Sequence, residues 1–120
     1  MFLIYHNPLW SKSRESVKIL EKHKIEYRII NYIKDGISES KINEISKILD
    51  ISIIDLIRKK DLNYRNLNLT VEQTKDEKFL TEKISKNPKI LQRPIIINDD
   101  KGIIGRPPEK ILDLIGSWEN

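Results

Sequence analysis

Residues 2–31 read FLIYHNPLWSKSRESVKILEKHKIEYRIIN, and this stretch decides the fold. Phe2-Leu3-Ile4-Tyr5 is a short apolar run that predicts a buried strand. Asn7-Pro8-Leu9-Trp10-Ser11-Lys12-Ser13 reads as a turn into a helix. The helix is expected from about Ser13 to Lys24, with Val17, Leu20 and the stem of Lys24 on one repeating face. Glu26 to Asn31 then reads as a second strand, in which Tyr27, Ile29 and Asn31 alternate against Arg28, Ile30 and Tyr32. A strand, a helix and a strand at this spacing predict a parallel pair with a right-handed crossover.

Downstream the periodicity changes. Ser38 is a plausible N-cap with Glu39 in the first turn, ahead of Ile42, Ile45, Ile48 and Leu49 at helical spacing. Ser52 with Asp55 looks like another helix start, carrying Ile53, Leu56 and Ile57. Thr74 with Glu77 fits a capping box ahead of Phe79, Leu80 and Ile84. Residues 38–87 are therefore expected to form a helical block without a strand. Pro94-Ile95-Ile96-Ile97 predicts a buried strand, Asn98-Asp99-Asp100-Lys101-Gly102 a hairpin loop, and Ile103-Ile104 the start of the return strand. Pro107-Pro108-Glu109 opens a last helix through Ile115, with Ile111, Leu112 and Ile115 toward the core. This order predicts an α/β protein with a thioredoxin-like fold, a four-stranded mixed sheet flanked by helices. Residues 1–120 would be one domain, with a helical insertion at about 38–87 between the strand pairs and a loose tail at about 116–120.

Composition narrows the function classes. With 120 residues, the chain is long enough for one compact core. No apolar run reaches the roughly 18 residues of a membrane span. Met1 leads straight into the first strand without a basic flank or cleavage site, so no signal peptide is expected and the cytoplasm is the expected location. There is no cysteine, which removes disulfides, zinc fingers and every thiol chemistry. The apolar set is lopsided, with 23 Ile and 12 Leu against 2 Val and no Ala, and Lys outnumbers Arg 16 to 6. Ile, Lys and Asn all have AT-rich codons, so the lysines carry little functional signal. Charges of both signs are spread along the chain, which argues against a nucleic-acid surface. The six arginines, used sparingly, are the more informative cations.

Four segments carry a family resemblance. His6-Asn7-Pro8-Leu9-Trp10-Ser11-Lys12-Ser13-Arg14 resembles the active-site loop of the glutaredoxin-dependent arsenate reductases. Leu56-Ile57-Arg58-Lys59-Lys60 resembles their helical arginine motif. Gln92-Arg93-Pro94-Ile95-Ile96 is similar to their arginine–proline strand start, and Gly105-Arg106-Pro107-Pro108-Glu109 to their C-terminal arginine loop. The motifs come in the family's order and cover roughly Leu3 to Ile115. The related Spx regulators share the fold and the Arg-Pro strand start and act by binding RNA polymerase. This chain has Trp10 and Ser13 where those have a Cys-x-x-Cys switch, and its His-Asn-Pro and Gly-Arg-Pro-Pro-Glu segments look like the reductase branch.

The resemblance implies a specific chemistry and exposes a departure from it. In the family a thiolate attacks the arsenic of arsenate, glutathione attacks the adduct, arsenite leaves, and glutaredoxin resolves the mixed disulfide. The nucleophile position is occupied here by Trp10, and an indole has only an N–H donor. Ser11 and Ser13 lack an evident base and do not replace it. Arg58, Arg93 and Arg106 match the family's three oxyanion-binding arginines, whose guanidinium forks suit a tetrahedral anion such as arsenate, phosphate or sulfate. The helix start at Ser11 to Arg14 would add backbone donors. The alternative is that these arginines form surface ion pairs with nearby Asp and Glu. Trp10 either swings to solvent, plugs the anion site or packs on the sheet edge. His6 tunes charge at the loop or is simply a polar surface residue, and the resemblance implies a cis peptide bond at Pro94, whose alternative role is only to start a strand. His23 lacks partners at ligand spacing, so no metal is expected. Lys12 adds charge or is solvated, and Trp118 is uninformative. The expected partners are a small oxyanion and, if the family activity survives, glutathione as co-substrate with glutaredoxin. No bound cofactor, nucleic acid or membrane is expected, and the resemblance suggests a monomer. The rival functions are a non-catalytic oxyanion- or thiol-ligand-binding module and an Spx-like regulator.

Overall fold

A computed structural model describes residues 1–6 and 11–119. The chain forms two compact units, residues 1–35 with 93–120 and residues 36–92.

The first unit is the sheet. Strands β1 (Phe2–Tyr5), β2 (Tyr27–Ile30), β3 (Ile95–Asn98) and β4 (Lys101–Ile104) lie in the order β2-β1-β3-β4. β1 runs parallel to β2, with Phe2 opposite Tyr27, and antiparallel to β3, with Tyr5 opposite Ile95. β3 pairs antiparallel with β4, with Ile95 opposite Ile104. Ile95, Ile96 and Ile97 are all buried, as a continuous apolar run in a central strand should be. β2 is an edge strand and leaves Arg28 and Ile29 exposed. The strands lie where the sequence puts them, except that β4 begins at Lys101. The hairpin loop is therefore only Asp99-Asp100, with Asp99 at a φ of 56°, a region that Asp tolerates.

Helix α1 (Ser11–Lys22) begins and ends two residues before its expected limits. Its end explains the difference. Lys24 adopts a left-handed φ of 56°, and the Ile25 N–H reaches back to the Leu20 carbonyl at 3.0 Å. This is the six-to-one bond of a Schellman ending, with buried Leu20 and Ile25 as its apolar pair. The position usually holds glycine, so a lysine there gives no stop signal. Lys24 is consequently exposed rather than part of the buried face. Leu20 packs with Phe2, Ile4, Ile25, Ile96, Ile111, Leu114 and Ile115 in one core. A short helix, α2 (Tyr32–Asp35), closes the first segment.

The final helix differs in phase. A 3-10 turn over Pro108–Lys110 leads into α7 (Ile111–Glu119), so a helix stands where a loose tail was expected. Its buried residues are Ile111, Leu114 and Ile115, whereas Leu112 is 44% exposed. Positions 111, 114 and 115 make the i, i+3, i+4 stripe, and 112 is rotated off it.

The second unit is helical and contains no strand, only an isolated bridge between Ile57 and Leu91. It comprises α3 (Glu39–Leu49), a 3-10 turn (Ile53–Leu56), α4 (Leu62–Arg65), α5 (Val71–Thr74), α6 (Glu77–Lys86) and a 3-10 turn (Pro88–Ile90). α3 and α6 pack together and on the first 3-10 turn, burying Ile42, Ile45, Ile53, Leu80 and Ile84. Ser38 caps α3 by accepting the Lys41 N–H. Ser52 makes no side-chain cap, and it opens a single 3-10 turn rather than a helix. The expected Thr74–Glu77 capping box is absent. Thr74 is the last residue of α5, whose own box is Thr70 with Gln73. Asp76 caps α6 by accepting the Phe79 N–H. An Asp two residues nearer the helix displaces Thr74 as its cap, because Asp is the better N-cap.

Candidate functional site

One end of the sheet holds four of the expected site residues, His6, Arg93, Pro94 and Arg106. Tyr5, Ile95 and Ile104 are in register, so His6, Pro94 and Gly105 come next at the same end. The His6 N–H donates to the Ile30 carbonyl at 3.0 Å, which fixes its backbone against β2. The Gly105 N–H donates to the Pro94 carbonyl at 2.8 Å. Arg93 and Arg106 therefore flank a hydrogen-bonded pair, Arg93 half-buried and Arg106 exposed. The Arg93–Pro94 peptide bond is cis, as the sequence resemblance implies, and so is Arg106–Pro107.

Gly105 is the one glycine whose lack of a side chain places these groups. A Cβ there would sit 3.0 Å from Ile96 Cδ1, 3.0 Å from Pro94 Cγ and 3.1 Å from Ser16 Oγ. Ser16 belongs to the second turn of α1, so this close approach brings α1 against the loop that carries Arg106. The first turn of α1 contains no acidic residue.

His6 is only 3% exposed, and its Nδ1 has no hydrogen-bond partner among the described residues. Burial, and secondarily the positive charge of Arg14, push its imidazole below the ordinary histidine value. It is therefore neutral at pH 7 and does not supply a cationic charge to the loop. Ser11 and Arg14 are exposed on α1. Asn7, Pro8, Leu9 and Trp10 lie outside the described residues, as do the side chains of Lys12, Ser13 and Trp118.

Arg58 belongs to the second unit. Its N–H donates to the Ile90 carbonyl at 2.7 Å, and Gln92 N–H donates to the Leu56 carbonyl at 2.7 Å. These bonds clamp the arginine motif along residues 90–92. Its guanidinium forms an ion pair with a nearby acid, the alternative that the sequence left open for these arginines, and the partner is Asp61. Arg58 Nη1 lies 3.2 Å from Asp61 Oδ2, with the side chains 23% and 15% exposed. Arg58 is not on a helix as the motif implied: it opens a turn in which the Asp61 N–H donates to the Arg58 carbonyl at 3.0 Å, and that turn brings the acid three positions on beside it. The neighbouring Lys59 instead pairs with Asp55 at 3.6 Å. Among the described residues no group of three His, Cys, Asp or Glu is placed to hold a metal ion, and no helix is long and apolar enough to cross a membrane.

Residues 5–114 match the model of the ArsC family. The chain belongs to the ArsC family. The arsenate reductase of Haemophilus influenzae is 39% identical over 94% of this chain and 97% of its own length. The uncharacterized protein YfgD of Escherichia coli K12 is 36% identical over 94% and 95%. The solved arsenate reductase of Vibrio cholerae superposes with a TM-score of 0.88 at 32% identity, covering 93% of this chain and 95% of that one. The ArsC match runs through all four sequence motifs, from the loop after His6 to the Arg106 segment. The expected fold, a mixed four-stranded sheet of the thioredoxin-like type, is the fold of these ArsC neighbours.

Proposed function

We propose that this ArsC-family chain binds a tetrahedral oxyanion through Arg58, Arg93 and Arg106 but does not reduce arsenate as its sequence stands. The observation that carries the proposal is the lack of any cysteine in a chain matched to the family from residue 5 to residue 114. The family reaction begins with a thiolate, and Trp10 stands where the resemblance puts it. The α1 N-terminus suits a thiolate or an anion equally, since free N–H groups and the dipole stabilise negative charge. His6 and Pro94 lie at the strand ends, Ser11, Ser13 and Arg14 lie in the first turn of α1, and the sequence between them supplies Asn7 and Pro8. Glutathione and glutaredoxin are partners only of a form that carries the nucleophile. The protein works in the cytoplasm as a monomeric, single thioredoxin-like domain without a bound cofactor.

The test is arsenate-dependent NADPH consumption with glutathione, glutaredoxin and glutathione reductase supplied. The chain as it stands is run beside Trp10→Cys. Turnover by the cysteine variant alone is the expected result. Activity of the chain with Trp10 overturns the thiolate argument. If neither turns over, the arginine site itself is refuted as a reductase site.

A further inference from the structure

Arg58 and Asp61 form an ion pair through a single contact. A charge-assisted pair that has closed fully sits at about 2.7–2.9 Å and is frequently bidentate. This one is a single contact at 3.2 Å, through one nitrogen of Arg58. A guanidinium carries five N–H donors. Apart from the contact to Asp61, the Arg58 side chain has no hydrogen-bond partner among the described residues. A half-buried cation is thus held from one side with the rest of its fork unused.

Asp61 is unsaturated in the same way. Its Oδ1 accepts the Asn63 N–H at 2.8 Å and the Asn63 Nδ2 at 2.9 Å. Its Oδ2 accepts only Arg58. An ionised carboxylate offers about four lone-pair sites, so one remains on Oδ2, beside the guanidinium. Oδ1 is committed to capping α4, which fixes the carboxylate and aims Oδ2 at Arg58. An open donor fork and an open acceptor therefore stand side by side.

Tetrahedral oxyanions differ in whether they can use both. Near neutral pH, arsenate and phosphate retain a proton and present one X–OH group along with their charged oxygens. Sulfate has no proton and presents acceptors only. We infer that Asp61 is a specificity-determining residue, accepting a hydrogen bond from the hydroxyl of a proton-bearing oxyanion held on the remaining donors of the Arg58 guanidinium and repelling sulfate. This rests on the proposal that Arg58 binds the anion and narrows the ligand class to hydrogen arsenate and hydrogen phosphate. A hydrogen bond to a charged group contributes enough to discriminate by about tenfold or more.

The experiment is titration calorimetry of the full chain with phosphate, arsenate and sulfate at one ionic strength and pH. Asp61→Asn and Asp61→Ser are run alongside. Both replacements keep a side-chain oxygen able to cap α4 and remove the charge. Phosphate and arsenate are expected to bind about tenfold or more tighter than sulfate. The ratio should fall toward one in both variants, mainly because sulfate binds better. A ratio near one in the unsubstituted chain, or an unchanged ratio in the variants, overturns the role of Asp61 and leaves the oxyanion site standing. No binding of any anion overturns both. The ratio in the unsubstituted chain decides the matter even if a variant fails to fold.

Discussion

Gly105→Ala is expected to destabilise the sheet unit, and the geometry sets the scale. The added Cβ meets three side chains, two at the start of β3 and one on α1, at 3.0, 3.0 and 3.1 Å. These approaches are tighter than ordinary contacts, so each neighbour must yield by a few tenths of an ångström. Ile96 and Ser16 are fully buried and have little room to yield. Overpacking of this kind typically costs about 1–3 kcal/mol. Replacing glycine also restricts the unfolded chain, which offsets about 0.4–1 kcal/mol. The net loss lies between about 0 and 2.6 kcal/mol, centred on about 1.3 kcal/mol, or roughly 4–8 °C in Tm for a chain of this length. Urea and thermal unfolding monitored by circular dichroism read it directly. A double-mutant cycle sharpens the test. Ile96→Val removes Cδ1 and alone costs about 0.5–1.5 kcal/mol. Combined with Gly105→Ala it should cost less than the sum, by about 0.5–1 kcal/mol. A Gly105→Ala protein as stable as the original, or a strictly additive double variant, refutes the close-approach argument.

Stability should also depend on pH through His6. Its folded-state affinity for a proton is lowered by burial and by Arg14, so the unfolded chain binds the proton first as pH falls. The folded state therefore loses stability below about pH 6.5, at up to about 1.4 kcal/mol per pH unit, and regains it as pH rises. Replacing His6 with Gln should flatten the difference between unfolding free energies at about pH 5.5 and pH 7.5; an equal slope in both proteins would rule the histidine out. Asp76→Ala should cost about 1 kcal/mol in the same unfolding assay, as the cap of α6. Thr74→Ala tests the corrected assignment. Its hydroxyl donates only to the Val71 carbonyl within a four-residue helix, so a loss equal to that of Asp76→Ala would restore the sequence-based cap.

The legible and illegible parts of the sequence divide along physical lines. The strands were legible because Phe2–Tyr5 and Ile95–Ile97 are unbroken apolar runs, and central strands buried on both faces need that pattern. The topology came from the order of elements, since few arrangements connect them without crossing. Boundaries were illegible wherever the chain turned with an unexpected residue. Lys24, Asp50 and Asp99 all take positive φ in place of glycine, and nothing in a lysine or aspartate announces that. Leu112 was misassigned because Leu112 and Leu114 are chemically alike and only the helix phase separates them. The phase depends on how the 3-10 turn at Pro108–Lys110 feeds α7.

The site shows the same division in sharper form. Its arginines could be picked out because a lysine-rich chain spends arginine rarely and places three of six in recognisable segments. Asp61 could not, because one acid among many near a cation reads as ordinary surface pairing. Its character comes from which lone pairs are occupied. With Oδ1 committed to Asn63 and Oδ2 half used by Arg58, the carboxylate is both immobilised and unsaturated. A mobile surface acid would track whatever cation came near, whereas a fixed one accepts a proton donor and rejects a second anion. The residue at position 10 does not enter this selectivity, which depends on Arg58 and on a helix cap, not on sulfur.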